Sequence, residues 1–262
     1  KDFRDIIPEI VLQFQGMKIA KRLSPKAIFL QKERPVLPFL SLWKMNQDTK
    51  NRYNIVYEDG YLIIVNKPSG MLVVPTPKGE TNTLTDLLND ELDSRGVKIN
   101  AYPCHRIDRE TSGLVIYAKG KSIRQDMMEQ FKRYLVKKTY IALVHGIVRK
   151  NSDTMKGNIY NQRRRKTELM ITKYRVLERR KDFTIAEVEP VTGRTNQIRI
   201  HFKELGHPLV GESVYAFRKD FKLRFKRVAL HAKAIEFKHP VTGKGMNFNL
   251  PLPDDMASFM QK

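Results

Sequence analysis

From residue 54 onward the chain is a succession of short apolar runs separated by turn signals, and this pattern limits its possible folds more than any other feature. Residues 54–70, NIVYEDGYLIIVNKPSG, predict two strands around a tight turn, because Asp-Gly is a strong hairpin signal. Residues 169–193 predict a meander, and residues 231–253 predict another hairpin. So many hairpins favour a mixed, mostly antiparallel sheet over regular βαβ units.

Helical periods lie between these strands. Helices are predicted over residues 83–96, 121–138 and 194–206, and further strands over residues 113–120 and 138–148. The expected fold class is therefore α+β, with a curved, mixed and mostly antiparallel sheet flanked by helices.

The first part of the chain has a different character. Residues 1–50 form a basic, Pro-containing extension with one short helical candidate and no motif. The extension either packs on the main domain, which takes up residues 51–262, or contacts a nucleic acid, and we favour packing.

The charge of the chain points to a polyanionic partner. Lys and Arg number 49 against 28 Asp and Glu, which gives a net charge of +21. Such an excess suits nucleic acid or an anionic membrane surface. No apolar run approaches the ~18 residues that a spanning helix needs, and no helix pairs a clean basic face with an aromatic one. Nucleic acid is therefore the expected partner.

Cysteine use indicates a reducing compartment. Cys104 is the single cysteine, so an intrachain disulfide is excluded, and the sequence starts without a signal-peptide pattern. We expect a monomer in the cytoplasm, with an organelle form that has lost an import sequence as the alternative.

The stretch HRIDRETSG, residues 105–113, contains the strongest candidate for chemistry. Asp108 stands between Arg106 and Arg109, whose charges should lower its pKa and keep it ionised. A carboxylate held this way before a strand can act as a nucleophile or stabilise a developing cation. A solvated ion-pair loop fits the same residues equally well.

Other chemistries fit less well. A thiol hydrolase built on Cys104, His105 and Asp108 is disfavoured, because catalytic Cys and His are normally brought together by the fold rather than by adjacency. The six histidines show no metal-binding spacing, so we expect no metal, and no phosphate-binding glycine motif is present. We expect no cofactor either.

Two further stretches supply candidate site residues. Arg194 and Arg199 are five residues apart in TGRTNQIRIH, and at helical pitch they point to different sides. One can pair with a buried carboxylate and the other with a phosphate. Tyr140, in KKTYIALVHG, is either a core residue or a pocket residue that stacks on a base.

Together these stretches resemble the RluA-type family of RNA pseudouridine synthases over roughly residues 53–254. The family signature HRLDxxTSG is matched by residues 105–113, and its Lys-Pro-x-Gly segment by residues 67–70. Its K-x-Y segment is matched by residues 138–140, and GRTxQIRxH by residues 193–201. Ile107 replaces the usual Leu and Asn196 the usual His.

The resemblance implies the pseudouridine synthase catalytic fold, with an RNA-binding cleft, and an isomerase that converts uridine to pseudouridine within RNA. Asp108 would attack the sugar or the base, Tyr140 would lie against the flipped uracil and take the C5 proton, and Arg199 would form an ion pair with Asp108. Ribosomal RNA is the first expected substrate and transfer RNA the second. A non-catalytic RNA-binding protein is the alternative, and a small-molecule hydrolase the third interpretation.

The basic residues expected to contact RNA lie on several segments. They are Arg106, Arg109, Arg163, Arg164, Arg165, Lys166, Arg194, Arg218, Lys222 and Arg224.

Overall fold

The computed structural model describes residues 53–162, 164–216 and 222–261. Residues 1–50 and the prediction made for them lie outside this described part. The helices of the described part are α1 (Leu84–Ser94), α2 (Lys121–Lys132), α3 (Gln197–Glu204) and α4 (Asp254–Met260). Its strands are β1 (Asn54–Glu58), β2 (Leu62–Lys67), β3 (Ala101–Pro103), β4 (Ser112–Lys119), β5 (Lys137–His145), β6 (Ser152–Asn161), β7 (Lys166–Arg179), β8 (Phe183–Pro190), β9 (Leu230–Lys238) and β10 (Gly245–Asn249).

These strands form one open sheet in the order β1-β2-β4-β9-β5-β8-β7-β6, with β3 beside β4 and β10 beside β9. Among the described strands, the neighbours pair antiparallel except for a short parallel contact between β4 and β9. The predicted α+β fold with a mixed, mostly antiparallel sheet is confirmed.

Both faces of the sheet carry a hydrophobic core, because successive strand residues point to opposite sides. On β2, Ile63 and Val65 face the cluster that includes apolar residues of α1 and α3. Leu62 and Ile64 face a second cluster, which includes Met127 of α2. The residues of α4 pack in a third cluster with β5 and β8. Within the described ranges, none of the helices is long and apolar enough to cross a membrane.

Local signals explain where the first elements begin and end. In the turn between β1 and β2, one carboxylate oxygen of Asp59 accepts hydrogen bonds from the backbone N–H groups of Tyr61 and Leu62, at 2.7 Å each. The N-terminus of α1 has a capping box between Thr83 and Asp86, which satisfies backbone donors that the helix leaves free. The predicted first hairpin and first helix are thus confirmed.

Four elements differ from the predictions, one of them the short strand β3, where no strand was expected. The helix expected over residues 121–138 ends at Lys132, because Tyr134 takes a left-handed backbone (φ +57°) and the chain then enters β5. Strand β6 was not expected, since its sequence is polar and its side chains alternate between exposed and half-buried. Helix α4 was not expected either.

Candidate active site

Asp108 lies in the loop between β3 and β4, and backbone hydrogen bonds fix this loop. The N–H of Cys104 donates to the carbonyl of Ile116 (2.9 Å), and Nε2 of His105 accepts from the N–H of Ile116 (3.1 Å). A turn is closed by the Thr111 N–H, which donates to the Asp108 carbonyl (3.1 Å). The loop is therefore an ordered continuation of β4.

The Lys-Pro-Ser-Gly segment after β2 holds the same loop from the other side. Gly70 N–H donates to the carbonyl of Arg109 (2.7 Å), and the Ser69 hydroxyl donates to the carbonyl of Glu110 (2.7 Å). The amine of Lys67 also donates to the Arg109 carbonyl (3.2 Å) and to two nearer carbonyls. Lys67 is fully buried, and burial lowers its pKa to about 7. The Lys-Pro-Ser-Gly segment, to which the sequence assigned no role, thus holds the Asp108 loop and brings the charge of Lys67 close to Asp108.

Burial raises the pKa of Asp108 above its ordinary value, although three cations oppose this effect. Arg199, Arg106 and Lys67 each favour the ionised carboxylate, and the charge of Glu212 adds to the increase. The expectation that flanking arginines lower the pKa of Asp108 is therefore wrong in its net direction. The cost of removing a carboxylate from water exceeds the attraction of cations that are not in contact with it.

Arg109 does not take part in the electrostatics of Asp108 in the way its sequence position suggested. Its side chain is half exposed and pairs with Glu80 at 3.1 Å. Its backbone carbonyl, rather than its charge, belongs to the loop that carries Asp108, through the bonds with Gly70 and Lys67.

Arg199 forms its closest ion pair with Glu212. The Nε and Nη2 atoms of Arg199 donate to the two carboxylate oxygens of Glu212 at 2.8 and 2.7 Å, and both side chains are buried. A second carboxylate, that of Glu110, lies 3.9 Å from Nη2. Among the described residues Asp108 forms no ion pair with Arg199, so the expected direct pair is replaced by an interaction over a longer distance. The expectation that one arginine of this segment pairs with a buried carboxylate is met by Glu212.

Replacing Glu212 by Gln should destabilise the fold strongly. Its carboxylate also accepts from the backbone N–H groups of three following residues, 213–215. Loss of the charge leaves the Arg199 guanidinium buried without its main partner, which costs about 3–5 kcal/mol. Urea unfolding measures this loss of free energy. The control is Glu236→Gln, which breaks an exposed pair with Lys137 and should cost less than about 0.5 kcal/mol. Equal effects of the two changes would contradict a structural role for the buried pair.

Tyr140 is buried at the start of β5 and lines the same cleft as Asp108. Burial raises the pKa of its hydroxyl, and the negative charge of Asp108 raises it further. Tyr140 is therefore a neutral phenol in the free enzyme. The effect of the Asp108 charge on its pKa shows that the two side chains lie near each other.

Asp108 and Tyr140 open onto a cleft of about 760 Å³. Ligand sites of ~300–1,000 Å³ are typical for small molecules, so the cleft has room for a nucleotide. Arg106, Arg164 and Arg194 also line it. Arg164 and Arg194 both pair with the carboxylate of Glu168, at 3.0 and 3.2 Å.

The entry to α3 forms one wall of the cleft and is fixed by side-chain hydrogen bonds. The amide of Gln197 accepts from the Thr192 hydroxyl (2.6 Å) and donates to the Thr172 hydroxyl (2.9 Å) on β7. Asn196 has a left-handed backbone (φ +56°), which Asn tolerates better than most residues. Its Oδ1 accepts from Nη1 of Arg199 (3.2 Å), so the residue that departs from the family pattern contacts the buried arginine.

The remaining predicted RNA-contact residues either do not line the Asp108 cleft or lie outside the described part. Arg163 and Arg218 fall outside the described residues. Arg165, Lys166 and Lys222 are exposed. Arg224 lines a second, smaller cavity of about 290 Å³, which also includes His145 and Phe225.

The surroundings of Cys104 and His105 argue against the thiol-hydrolase alternative. Cys104 is buried, its thiol is 3.9 Å from the carbonyl of Tyr102, and burial raises its pKa to about 12. Burial also lowers the pKa of His105 to about 3, and the ring nitrogen of His105 is engaged by the backbone. Within the described ranges, no cluster of three or more His, Cys, Asp or Glu side chains could hold a metal ion.

Three residues of the site were not assigned roles from the sequence. Lys67 lies in a segment that matches the family pattern and Glu212 follows the last such segment, but the partners of both residues are set by the fold. Lys138 also lines the cleft, and its position two residues before Tyr140 on a strand was the signal that could have revealed it.

Comparison with known proteins identifies the family. Residues 61–204 match the family model described as RNA pseudouridylate synthase. The uncharacterized RNA pseudouridine synthase YlyB of Bacillus subtilis is 37% identical over 219 residues, which cover 79% of this chain and 72% of that protein. Ribosomal large subunit pseudouridine synthase D of Pseudomonas aeruginosa is 33% identical over 221 residues, which cover 77% of this chain and 68% of that protein.

A solved structure agrees at the level of the fold. Human RNA Pseudouridylate Synthase Domain Containing 4 superposes with a TM-score of 0.69 at 20% identity, covering 86% of this chain and 97% of that chain. The chain therefore belongs to the RNA pseudouridylate synthase family and is an RNA pseudouridine synthase, an isomerase.

Proposed function

We propose that this enzyme isomerises uridine in ribosomal RNA, with Asp108 as the nucleophile. The observation that carries this assignment is the position of the Asp108 carboxylate in a nucleotide-sized cleft, together with Tyr140 and within the field of Arg199. The family sets the reaction, and these residues supply the groups that the reaction needs.

The reaction requires the target uridine to leave its stack, because a duplex hides the atoms that react. Asp108 attacks the sugar or the base, and the bond between N1 of uracil and C1′ of ribose breaks. The freed uracil rotates and its C5 bonds to C1′. The bond between Asp108 and the substrate breaks, which restores the free carboxylate, and the C5 proton is lost while N1 gains a proton. Substrate and product have the same composition, so the reaction needs no co-reactant.

In this proposal Tyr140, which lines the cleft, faces the extruded uracil. In the free enzyme it offers an aromatic ring and a neutral hydroxyl, since burial and the Asp108 charge raise its pKa. When Asp108 becomes covalently bound its negative charge disappears, and one of the two causes of the raised pKa disappears with it. The Tyr140 hydroxyl then gives up its proton to N1 of the freed uracil more readily, and the resulting phenolate is the base that takes the C5 proton.

Basic groups around the cleft would hold the RNA. Arg106 lies on the Asp108 loop, is exposed, and has no carboxylate partner among the described residues. Arg164 and Arg194 also line the cleft and share Glu168. The net charge of +21 gives this binding a strong electrostatic component that falls with salt.

The preference for ribosomal RNA is supported by relatives named ribosomal large subunit pseudouridine synthase D. Transfer RNA is the second candidate. The test is tritium release from C5-labelled uridine in unmodified transcripts of large-subunit ribosomal RNA and, separately, of a mixed set of transfer RNAs. We expect release from the ribosomal transcript at least tenfold faster than from transfer RNA. The opposite order would reassign the substrate, and no release from either would contradict the proposal.

A further inference from the structure

Five cationic side chains line the cleft, and they differ in whether a carboxylate already neutralises them. They are Arg106, Lys132, Lys138, Arg164 and Arg194. The amine of Lys132 lies 3.4 Å from the carboxylate of Glu129, and Arg164 and Arg194 both pair with Glu168. In the part of the chain that the structure describes, Arg106 and Lys138 have no ion pair. These two cations are available to an incoming anion.

Lys138 is the more unusual of the two because it is half-buried, whereas Arg106 is exposed. Burial lowers its pKa to about 8. Its amine lies against the chain at Gly193, where an added Cβ would come within 3.6 Å of Nζ. The neighbouring titratable group that it influences is the ring of His105, which burial keeps neutral. An ammonium in this setting has lost hydration without gaining a partner, so an anion that enters the cleft would compensate it.

The position of Lys138 relates it to the reacting nucleotide. Lys138 and Tyr140 both line the cleft and are two residues apart on β5, so they lie on one face of the strand at a separation of about 7 Å. If Tyr140 faces the extruded uracil, Lys138 reaches the neighbouring part of the same RNA strand. The anionic groups that RNA offers there are its backbone phosphates.

We propose that Lys138 binds an RNA backbone phosphate next to the extruded uridine. This inference deepens the proposed function and rests on it for the identity of the nucleotide that Tyr140 faces. Lysine suits the role because its ammonium is a compact charge that binds phosphate without demanding a fixed angle. Contact with a phosphate offsets the loss of hydration that burial imposes on the charged amine.

The test compares Lys138→Gln and Lys138→Met with the control Lys137→Gln. Lys137 is the adjacent residue on β5, is exposed, and forms an exposed pair with Glu236. Equilibrium binding to the large-subunit ribosomal RNA transcript is measured over a range of salt concentrations, together with kcat and KM from tritium release. Thermal unfolding is measured for every variant.

Both Lys138 variants should bind the transcript about tenfold more weakly, and the slope of log K against log salt should become shallower by about 0.7–0.9, the value of one phosphate contact. The Lys137→Gln protein should keep the wild-type slope. Lys138→Arg should restore most of the affinity. Because burial disfavours the charged amine, the Gln and Met variants should unfold at the same or a higher temperature than the wild type.

The outcomes separate this inference from the proposed function. If the wild type releases tritium and the Lys138 variants keep its salt slope, the phosphate contact is wrong and the function stands. A rise in KM with an unchanged slope would mean that Lys138 contacts the base instead, which also overturns the inference. If the wild type binds the transcript without releasing tritium, but the slope falls in the Lys138 variants, the contact stands and the proposed function fails. Absence of RNA binding by the wild type would overturn both.

Discussion

Asp108→Asn is expected to abolish turnover, reducing kcat by at least about 10³-fold while changing RNA affinity little. The amide keeps the size and shape of the carboxylate but cannot form the covalent bond or stabilise a developing cation. Tritium release gives the rate, and equilibrium binding to the same transcript shows whether the cleft still accepts RNA.

The control for this change is Asp153→Asn, which removes a carboxylate from the exposed pair with Lys150 at the surface. Its rate should match that of the wild type. A rate for Asp108→Asn within tenfold of the wild type would show that the reaction does not pass through this carboxylate.

The pH profile provides an independent check on Asp108. The reaction uses the ionised carboxylate, and burial raises its pKa above the ordinary value of 3.8. The rate should therefore fall as the pH decreases through a point above 3.8, earlier than for an exposed aspartate. An acid limb at or below the ordinary value would mean that the charges of Arg199, Arg106 and Lys67 outweigh the effect of burial on this pKa.

The sequence predicted the elements whose signals are local. The β1–β2 hairpin has its Asp-Gly turn, and α1 has a capping residue, leucines at helical spacing and a glycine after its end. Strand β6 had no comparable signal, because a half-exposed edge strand does not need alternating apolar residues. The end of α2 depended on competition: residues 137 and 138 are acceptable in a helix, but pairing with β9 draws them into β5.

The residues that make up the site were easier to predict from the sequence than the ion pairs that they form. Asp108, Tyr140 and Arg199 were chosen from the sequence, and the first two line one cleft while Arg199 acts on Asp108 electrostatically. Which carboxylate binds Arg199 was not predictable, since Glu212 reaches it through the tertiary fold. The net direction of the Asp108 pKa was missed for the same reason. Neighbouring charges are visible in a sequence, whereas the burial that outweighs them is a property of the folded chain.

Gly113→Ala is expected to destabilise the fold severely. Gly113 follows the Asp108 loop at the start of β4, between β2 and β9, where it pairs with Lys67 on one side and Ala232 on the other. Its φ is +117°, and a Cβ there would lie 2.2 Å from the backbone oxygen of Ala232. The obstacle is backbone in the middle of a sheet, which cannot move aside as a flexible side chain can. We expect a loss of more than about 4 kcal/mol, or failure to fold, measured by urea unfolding.

Gly120→Ala separates the two causes of this loss. Gly120 also has a positive φ, +92°, but a Cβ added there would meet nothing within 4 Å. The free energy of unfolding of Gly120→Ala should therefore fall only by the cost of a positive φ for alanine, about 1–2 kcal/mol. The difference between the unfolding free energies of the two variants measures the cost of the steric clash where β4 lies close to β9. At this parallel contact Ser112 is also aligned with His231. Because the Asp108 loop enters the sheet at this contact, Gly113→Ala should also lose tritium release. Similar unfolding free energies and rates for the two alanine variants would mean that the loop is not held by this packing.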